Sequence, residues 1–488
     1  MQFTDEVIVK LFGHEEAERE EPERLIEYFV KNDVYERVRA NLRLRILVGY
    51  KGVGKSALLK VCEIEDARKE ITSVWIKPDD IERAKVKESE ADLSAQIREW
   101  KNALQDIIFR KVAETFGQIP EESENQLKVY GSGFLQSLIS LANKRMAGTL
   151  EPAKRAAVKG FTSKRTLVVY IDDLDRDWNG SRAHILRISA LLNAVRDMIV
   201  DTKGINFKIA LRSDVYYVWS RNDSSSDKVV GDTIWMQWTN DDIFRVLIKR
   251  VATYSGKGMQ LAAFGTLSQP QLANYLDGVF ESKYQGKGLW EDRPMYHVIL
   301  SFVRAKPRDI VLFCSGAARL AGKKHEVIHS GDVTASLRGY CTGCVKDLIN
   351  EFRSELPTVD RLISGMRTSQ RELKMGKGSK YTTDELVKKL KDLISQGKFV
   401  FFNGSVATPN DLIRFMFKIN FITARRQLST GFIDRRYFDQ AMYLTDQYVQ
   451  EGYEWEIHPA YRWSEQLAPA DPSILMEAVA LTDLNSPT

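Results

Sequence analysis

A glycine-rich stretch at residues 49–56, GYKGVGKS, constrains the fold of this chain more than any other feature. It satisfies the pattern G-x-x-x-x-G-K-[ST], which is meaningful where a strand leads into the loop and a helix leads out of it. A β-prone run at residues 44–48 precedes the loop, and residues 57–65, ALLKVCEIE, carry apolar side chains at helical spacing. The pattern and its context predict a loop that wraps a phosphate group and directs helix N–H groups at it. A chance match in a strand-to-helix turn is the alternative.

Each residue type in this loop has an expected role. The glycines let the backbone turn its N–H groups toward a β-phosphate, Lys55 neutralises charge on the β- and γ-phosphates, and Ser56 is a ligand for Mg²⁺. The predicted nucleotide-binding residues are Gly49, Gly52, Val53, Gly54, Lys55, Ser56 and Ala57. The loop therefore predicts a nucleoside triphosphate and Mg²⁺ as cofactors, and the sequence has no guanine-specifying motif, which favours ATP over GTP.

A second element lies downstream at residues 166–173, TLVVYIDD, an apolar run that ends in two carboxylates. Its length suits a strand buried on both faces, and ligands bind at the carboxyl ends of strands in α/β sheets. We predict that Asp172 binds Mg²⁺ through a coordinated water and that Asp173 orients the attacking water. An aspartate reaches one methylene less far than the glutamate that many such ATPases use. A strand that simply ends in a polar turn is the alternative.

Further elements complete an α/β pattern. Residues 71–76 and 206–211 favour strands, and the second of these runs into Arg212-Ser213-Asp214, where polar groups would sense a γ-phosphate. Residues 181–200 carry a long apolar stripe at helical spacing, as expected of a crossover helix. The charged segment at about residues 80–160 is much longer than a βαβ step needs, which predicts a helical insertion.

Composition excludes several classes of protein. The hydrophobic content of 43% and charged content of 28% are ordinary for a globular chain, and 488 residues predict two to three domains. The sequence contains no run approaching the roughly 20 apolar residues of a membrane span, and residues 1–10 lack a secretion-signal pattern. We therefore expect a cytosolic protein with no membrane partner, whose four cysteines stay reduced. A net charge of +5 is too mild to indicate nucleic-acid binding by itself.

Residues 325–329, HEVIH, match the zinc-protease pattern H-E-x-x-H, which needs one helix to present both histidines on one face. Gly322 before the pattern and Ser330-Gly331 after it instead favour a short link before a helix that begins near Asp332. A zinc site formed with Cys341 and Cys344 is a second alternative, although residues 340–350 favour a helix that such a site would have to reshape.

The C-terminal third favours a winged-helix-like module. Capping patterns at residues 382–385 and 408–411 predict two helices, and short β-prone pieces follow them. Basic residues cluster here between aromatic residues: Arg414, Lys418, Arg425, Arg426, Arg435 and Arg436. Such a cluster would suit a DNA backbone. Packing of the module on the rest of the chain, or on a partner protein, is the alternative.

Several of these segments together resemble bacterial P-loop ATPases close to the KAP and STAND groups, within the additional-strand division of P-loop NTPases. The matching segments are LFGHEEAERE, GYKGVGKS, VVYIDDLDR, ALRSDVY, IWMQWTNDDIFRVLIKR, AKPRDIVLFC and EIHPAYRW. They touch most of the chain in the order in which the family has them, and the first four are the more specific.

The resemblance implies roles for individual residues. Lys55 and Ser56 would belong to Walker A, and Asp172 and Asp173 to Walker B. Arg212 would be a sensor at the end of a core strand. The resemblance also implies a place near the site or a subunit boundary for Arg176, and a lid arginine at Arg308 that reaches back to the nucleotide. The Pro-Arg-Asp turn around Arg308 is equally good chemistry for starting a helix.

The sequence thus predicts an α/β P-loop NTPase core with a helical lid and a C-terminal winged-helix-like module. The expected boundaries are residues 1–264 for the core, 265–345 for the lid and 346–488 for the last module. The resemblance implies the function of a self-assembling regulatory or motor ATPase, coupled to a separately encoded effector in a bacterial defence or stress system. One alternative is a DNA-handling ATPase that uses Arg425, Arg426, Arg435 and Arg436. The other is a scaffold switch that binds ATP and barely hydrolyses it.

Overall fold

The computed structural model describes residues 1–83, 92–117, 166–174, 176, 178, 180–223, 225–256, 264–286, 290–369, 372, 379–429, 433–441 and 452–468. The α-helices are α1 (Asp5–Phe12), α2 (Pro22–Tyr28), α3 (Asp33–Arg39), α4 (Lys55–Arg68), α5 (Pro78–Arg83), α6 (Leu93–Gly117), α7 (Arg182–Asp201), α8 (Ser213–Asn222), α9 (Asn240–Tyr254), α10 (Gln269–Ala273), α11 (Met295–Phe302), α12 (Pro307–Ala321), α13 (Ser330–Phe352), α14 (Val359–Gly365), α15 (Thr383–Ser395), α16 (Pro409–Lys418) and α17 (Pro459–Arg462). The strands are β1 (Leu44–Gly49), β2 (Thr72–Ile76), β3 (Leu167–Ile171), β4 (Ile205–Arg212), β5 (Thr233–Trp235), β6 (Lys380–Tyr381), β7 (Ile422–Gln427), β8 (Ile433–Arg436) and β9 (Glu454–Ile457).

The chain divides into two compact units. The core unit comprises Lys31–Lys51 and Lys55–Met236. The C-terminal unit comprises Met1–Val30, Gly52–Gly54 and Gln237–Thr488, so it includes the N-terminal helices and the middle of the glycine-rich loop. The domain boundaries expected from the sequence remain a prediction.

A five-stranded parallel sheet in the order β2-β3-β4-β1-β5 forms the centre of the core unit. Every residue of β3 is buried, as expected for a strand covered on both faces, which explains why its sequence is a continuous apolar run. The predicted strands and the crossover helix α7 are all present, and Ser181 caps α7 by accepting a hydrogen bond from the His184 amide. The α/β class predicted from the sequence is confirmed.

The strand register brings the functional ends of the strands to one edge. In β1 and β4, Gly49 lies opposite Arg212, and in β2 and β3, Ile76 lies opposite Ile171. Because these strands are parallel, the loop after β1 and the carboxylates after β3 emerge at the same edge of the sheet. Of the insertion predicted at about residues 80–160, α5 and α6 are helical as expected, and residues 84–91 and 118–165 lie outside the described residues.

Within the C-terminal unit, the segment from α9 to α14 is mainly helical. The capping box of α9 pairs Thr239 with Asp242, and α12 begins with Pro307 in its first turn. The link of residues 325–329 before α13 is not helical, as predicted, and Ile328 forms a β-bridge with Phe280. The expected lid segment is therefore mostly helical, and its role as a lid remains a prediction.

The last part of the C-terminal unit carries the winged-helix-like module. Helices α15 and α16 begin at the predicted capping boxes, Thr382 with Glu385 and Thr408 with Asp411. An antiparallel sheet in the order β6-β9-β7-β8 takes one short strand, β6, from before these helices and three strands from after them. Two helices followed by short strands match the arrangement predicted from the sequence, and β6 is an addition to it. Across the described parts of the chain, each helix is too short or too polar to span a bilayer.

Candidate nucleotide-binding site

The loop after β1 has the backbone of a phosphate cradle. Gly52 and Gly54 have φ angles of +81° and +94°, in the left-handed region that a residue with a Cβ atom enters only under strain. A Cβ atom added at Gly52 would lie 3.3 Å from the Cβ and Cδ atoms of Arg308. Both glycines are thus required by conformation, and Gly52 also by the close approach of Arg308.

Lys55 begins α4 and turns its amino group back over the loop. Its Nζ atom donates hydrogen bonds to the carbonyl oxygens of Gly49, at 2.8 Å, and Tyr50, at 3.1 Å. These bonds hold the ammonium beside the loop backbone at the N-terminus of a helix, where phosphate groups bind. The position is the one expected for a lysine that neutralises the β- and γ-phosphates.

Ser56 and Asp172 meet at this edge of the sheet. The Asp172 carboxylate, which is only 6% exposed, lies close enough to the Ser56 hydroxyl for that hydroxyl to lower its pKa. Burial nevertheless raises the pKa of Asp172, and the Ser56 hydroxyl and the Lys55 charge oppose that shift only in part. A buried carboxylate beside a hydroxyl is an oxygen-only ligand set of the kind that Mg²⁺ prefers. The residues therefore fit the predicted metal.

Asp173 follows Asp172 in a left-handed turn. It is exposed and has a φ of +57°, and its amide donates a hydrogen bond of 3.0 Å to the Asp172 carboxylate. One of the two carboxylates is therefore buried, and the other is open to solvent. The water-orienting role expected of Asp173 remains a prediction.

Arg212 ends β4 directly across from Gly49. Its guanidinium donates to both carboxylate oxygens of Asp214, at 3.0 and 2.7 Å. The hydroxyl of Ser213 between them is 1% exposed and has no hydrogen-bond partner among the described residues. The sequence predicted polar groups here, and the structure adds that one of them, the Ser213 hydroxyl, is an unsatisfied buried group at the sheet edge.

Arg176 lies at the same edge of the sheet, further out. Its Nη1 atom donates to a carboxylate oxygen of Asp79 at 3.1 Å, and both side chains are more than half exposed. Asp79 follows β2 in the first turn of α5. The structure therefore places Arg176 on the surface near the strand ends and brings it into no contact with Lys55 or Asp172.

Arg308 lies against the glycine-rich loop within the C-terminal unit. Its amide donates to the Gly52 carbonyl at 3.4 Å, and its side chain covers the Gly52 Cα atom. Its Nε atom is buried without a hydrogen-bond partner in the part of the chain that the structure describes. The predicted helix-starting role is also present, since α12 begins one residue earlier.

Trp238 is a residue that sequence reasoning missed. Its indole Nε1 donates to the Val53 carbonyl at 2.7 Å, and its side chain is 4% exposed. This bond ties the middle of the loop to the segment before α9. The only signal in the sequence was the tryptophan-rich run IWMQWT, whose target is far away along the chain.

Two of the four arginines that the DNA alternative uses, Arg425 and Arg435, are buried, so they do not present their charge at the surface. Arg425 and Arg435 are 4% and 6% exposed and pair with Glu456 at 3.3 and 2.6 Å. Arg426 and Arg436 both pair with Asp434, at 3.2 and 3.1 Å. Arginines and carboxylates alternate across neighbouring strands, so much of the positive charge is neutralised within the sheet.

The H-E-x-x-H pattern has a structural role. His329 caps α13 and its ring contacts Glu281 at 2.7 Å, whereas His325 contacts Asp332 at 2.8 Å. Cys341 and Cys344 are buried in α13. Among the described residues there is no group of three or more His, Cys, Asp or Glu side chains placed to hold a metal ion.

Comparison with protein-family models finds no match, and comparison with curated proteins finds none either. Among solved structures, the chain is similar to the Aeropyrum pernix ORC2 protein in its ADPNP–ADP complexes. That TM-score is 0.39, with 12% identity over 93% of this chain and 91% of that chain. The ADP form of the same protein gives a TM-score of 0.34, with 11% identity over 91% and 89% of the two chains. The fold assignment rests on the strand order and the loop, not on similarity of this size.

The strand order and the loop define an α/β P-loop NTPase fold with a C-terminal winged-helix-like module. Strand β4 lies between the P-loop strand β1 and the carboxylate strand β3.

Proposed function

We propose that the protein binds ATP and hydrolyses it in a Mg²⁺-dependent reaction. The proposal rests above all on the proximity of the Ser56 hydroxyl to the buried Asp172 carboxylate, which brings together the hydroxyl of the loop after β1 and the carboxylate after β3. Lys55 is held beside them by its bonds to the loop carbonyls. A hydroxyl, a carboxylate and an ammonium gathered at a helix N-terminus suit a metal-bound triphosphate better than any other ligand.

Each residue of the site would have a distinct role in the reaction. The loop amides and Lys55 bind the β- and γ-phosphates, and Ser56 and Asp172 hold the metal ion, Asp172 through a coordinated water. Bound Mg²⁺ supplies neutralising charge to the phosphate oxygens. Asp173 orients the attacking water, and Arg212 and Arg308 stabilise negative charge that develops in the transition state.

The proposed biological role is that of a regulatory or motor ATPase near the KAP and STAND groups, which assembles with copies of itself and acts on a separate effector in a bacterial defence or stress system. The sequence resemblance supports this role. The exposed Arg176, held by Asp79 near the strand ends, is our candidate for a charge supplied to a neighbouring subunit.

The test is steady-state ATP turnover by the purified protein, with Lys55→Ala as the blank and with or without duplex DNA at low salt. We expect Mg²⁺-dependent turnover that DNA leaves unchanged. Turnover that DNA raises several-fold would favour the DNA-handling ATPase instead. Nucleotide binding without turnover would favour the scaffold switch, and no nucleotide binding would reject the proposal.

The DNA alternative has its own discriminating variant. Reversing the charge of the buried Arg425 or Arg435 would disrupt the sheet, because each is paired with Glu456. Arg426 is 46% exposed and is therefore the better choice. Loss of salt-sensitive DNA binding in Arg426→Glu, with ATP binding intact, would support DNA handling. Arg68→Glu, a charge reversal in the other unit, serves as the control.

A further inference from the structure

A cavity opens at the edge of the parallel sheet where the strands begin, opposite the edge that carries the glycine-rich loop. Its volume is about 560 Å³, and it lies entirely within the core unit. The residues that begin β3 and β4, the end of α4 and the link between α3 and β1 line it. Its polar side chains include Arg39, Asp66, Lys69, Thr166, Asn206 and Lys208. Because β1 runs six residues from this edge to the loop, the cavity lies about 17 Å from the nucleotide site.

Lys208 is the unusual residue of this cavity. It is 4% exposed, in the middle of a central strand, and its Nζ atom lies 5.5 Å from the centre of the Tyr170 ring. In the described part of the chain, no hydrogen-bond or ion-pair partner lies within reach of this amino group. Burial lowers the pKa of Lys208, which reflects the cost of holding its charge there.

The neighbouring acidic groups do not supply the missing partner. The two carboxylate oxygens of Asp66 accept hydrogen bonds from Arg39 and from the Tyr170 hydroxyl. Burial raises the pKa of the Cys62 thiol to about 12, so that it stays neutral. Asp66 attracts the Lys208 charge but forms no ion pair with it. A buried cation that lacks an ion-pair partner is costly, and such a group lining a cavity is satisfied when a ligand brings the opposite charge into contact with it.

We propose that this cavity binds a small molecule bearing a phosphate or carboxylate group, with Lys208 as its counter-ion. Asn206 and Thr166 offer polar atoms beside it at the starts of β4 and β3. The helix that begins at the phosphate loop ends at this cavity, since α4 runs from Lys55 to Arg68 and Asp66 and Lys69 line the cavity. The proposal does not depend on ATP hydrolysis.

The test is thermal unfolding of the Lys55→Ala protein, in which the nucleotide loop is weakened, with sodium phosphate or sodium malonate as the anion. Sodium chloride at equal ionic strength is the reference. We expect either anion to raise the unfolding temperature by about 2 °C or more over chloride, because a ligand of the folded state stabilises it. A shift with phosphate alone would restrict the ligand to phosphate compounds. The proposal would be overturned if neither phosphate nor malonate raised the unfolding temperature above that measured in chloride.

The variants Lys55→Ala/Lys208→Met and Lys55→Ala/Lys203→Met identify the site. Lys203 is exposed just before β4 and does not line the cavity. We expect the shift to vanish in the first and persist in the second, and a shift that survives Lys208→Met would refute the site. A readout that needs no substitution at Lys208 is acetylation by acetic anhydride, followed by peptide mass spectrometry. Phosphate should slow acetylation of Lys208 several-fold relative to Lys203, and equal rates would contradict the proposal.

Discussion

The guanidinium of Arg212 forms a two-point ion pair with the carboxylate of Asp214, at 3.0 and 2.7 Å, directly after the strand that pairs with the P-loop strand. Two parallel hydrogen bonds fix the plane of a guanidinium as well as its position. Asp214 is buried at the start of α8, which limits the freedom of its carboxylate to move away from Arg212. Asp214 thus acts as a positioning residue for the proposed sensor.

The first prediction concerns this pair. Asp214→Asn keeps the shape of the side chain but removes its charge, so Arg212 loses the orientation that the transition state requires. We expect kcat for ATP to fall about tenfold with little change in KM. Steady-state kinetics test this, with Asp214→Glu as the conservative rescue and the exposed Asp227→Asn as the control. A change confined to KM, or none at all, would contradict the positioning role.

The second prediction separates stability from function at the metal site. Burial raises the pKa of Asp172, so its carboxylate destabilises the nucleotide-free fold at neutral pH. We expect Asp172→Asn to raise the unfolding temperature by about 2–4 °C while it abolishes Mg²⁺-dependent turnover. Asp173→Asn is the matched control, because asparagine tolerates the same left-handed φ and the side chain is exposed. That variant should lose turnover without gaining stability.

The third prediction tests the close approach of Arg308 to the loop. Gly52→Ala adds a Cβ atom both to a left-handed backbone and to a space 3.3 Å from Arg308. Gly278 has the same φ of +81° but open space around it, so Gly278→Ala isolates the backbone strain of roughly 1–2 kcal/mol. We expect Gly52→Ala to lose more stability than Gly278→Ala, because the contact with Arg308 adds to the backbone strain, and only Gly52→Ala to weaken nucleotide binding, by about tenfold or more. Equal losses of stability in the two variants would argue that the approach of Arg308 to the loop adds no cost.

Much of the fold could be predicted from local sequence patterns, namely apolar runs and helix-capping residues. Strand β3 is a continuous apolar run because both its faces are buried, and capping boxes such as Thr408 with Asp411 mark helix starts within four residues of chain. The placement of Ser56 and Asp172 at one edge of the sheet could also be expected. The loop has a recognisable glycine-rich pattern, and the carboxylate strand is an apolar run that ends in aspartates.

Long-range pairing could not be read in the same way. The arginine cluster of the C-terminal module looked like a surface for DNA because Glu456 lies 21 residues beyond its partner Arg435. The bond from Trp238 to Val53 spans 185 residues. Charge on a strand predicts exposure only if no opposite charge lies across the sheet, and that depends on a register which the sequence alone does not specify.

The fourth prediction concerns the buried ion pairs of the C-terminal sheet. Burial alone would raise the pKa of Glu456, but the charges of Arg435, Arg462 and Arg425 outweigh it and lower the pKa to about 2. Since the folded pKa is depressed, the stability that this carboxylate contributes is complete above its ordinary value of 4.5 and is lost as the pH falls toward 2.

Glu456→Gln tests this network, because it leaves buried arginines without their counter-ion. We expect a loss of about 3–5 kcal/mol in the free energy of unfolding of the C-terminal unit at neutral pH. Denaturant unfolding between pH 7 and pH 2 should show that the variant lacks much of the acid-induced loss that the wild type shows below pH 4.5. The control is Glu454→Gln, whose side chain is 51% exposed and whose pair with Arg425 should contribute less than about 1 kcal/mol. Equal losses in the two variants would mean that Glu456 is not the centre of the network.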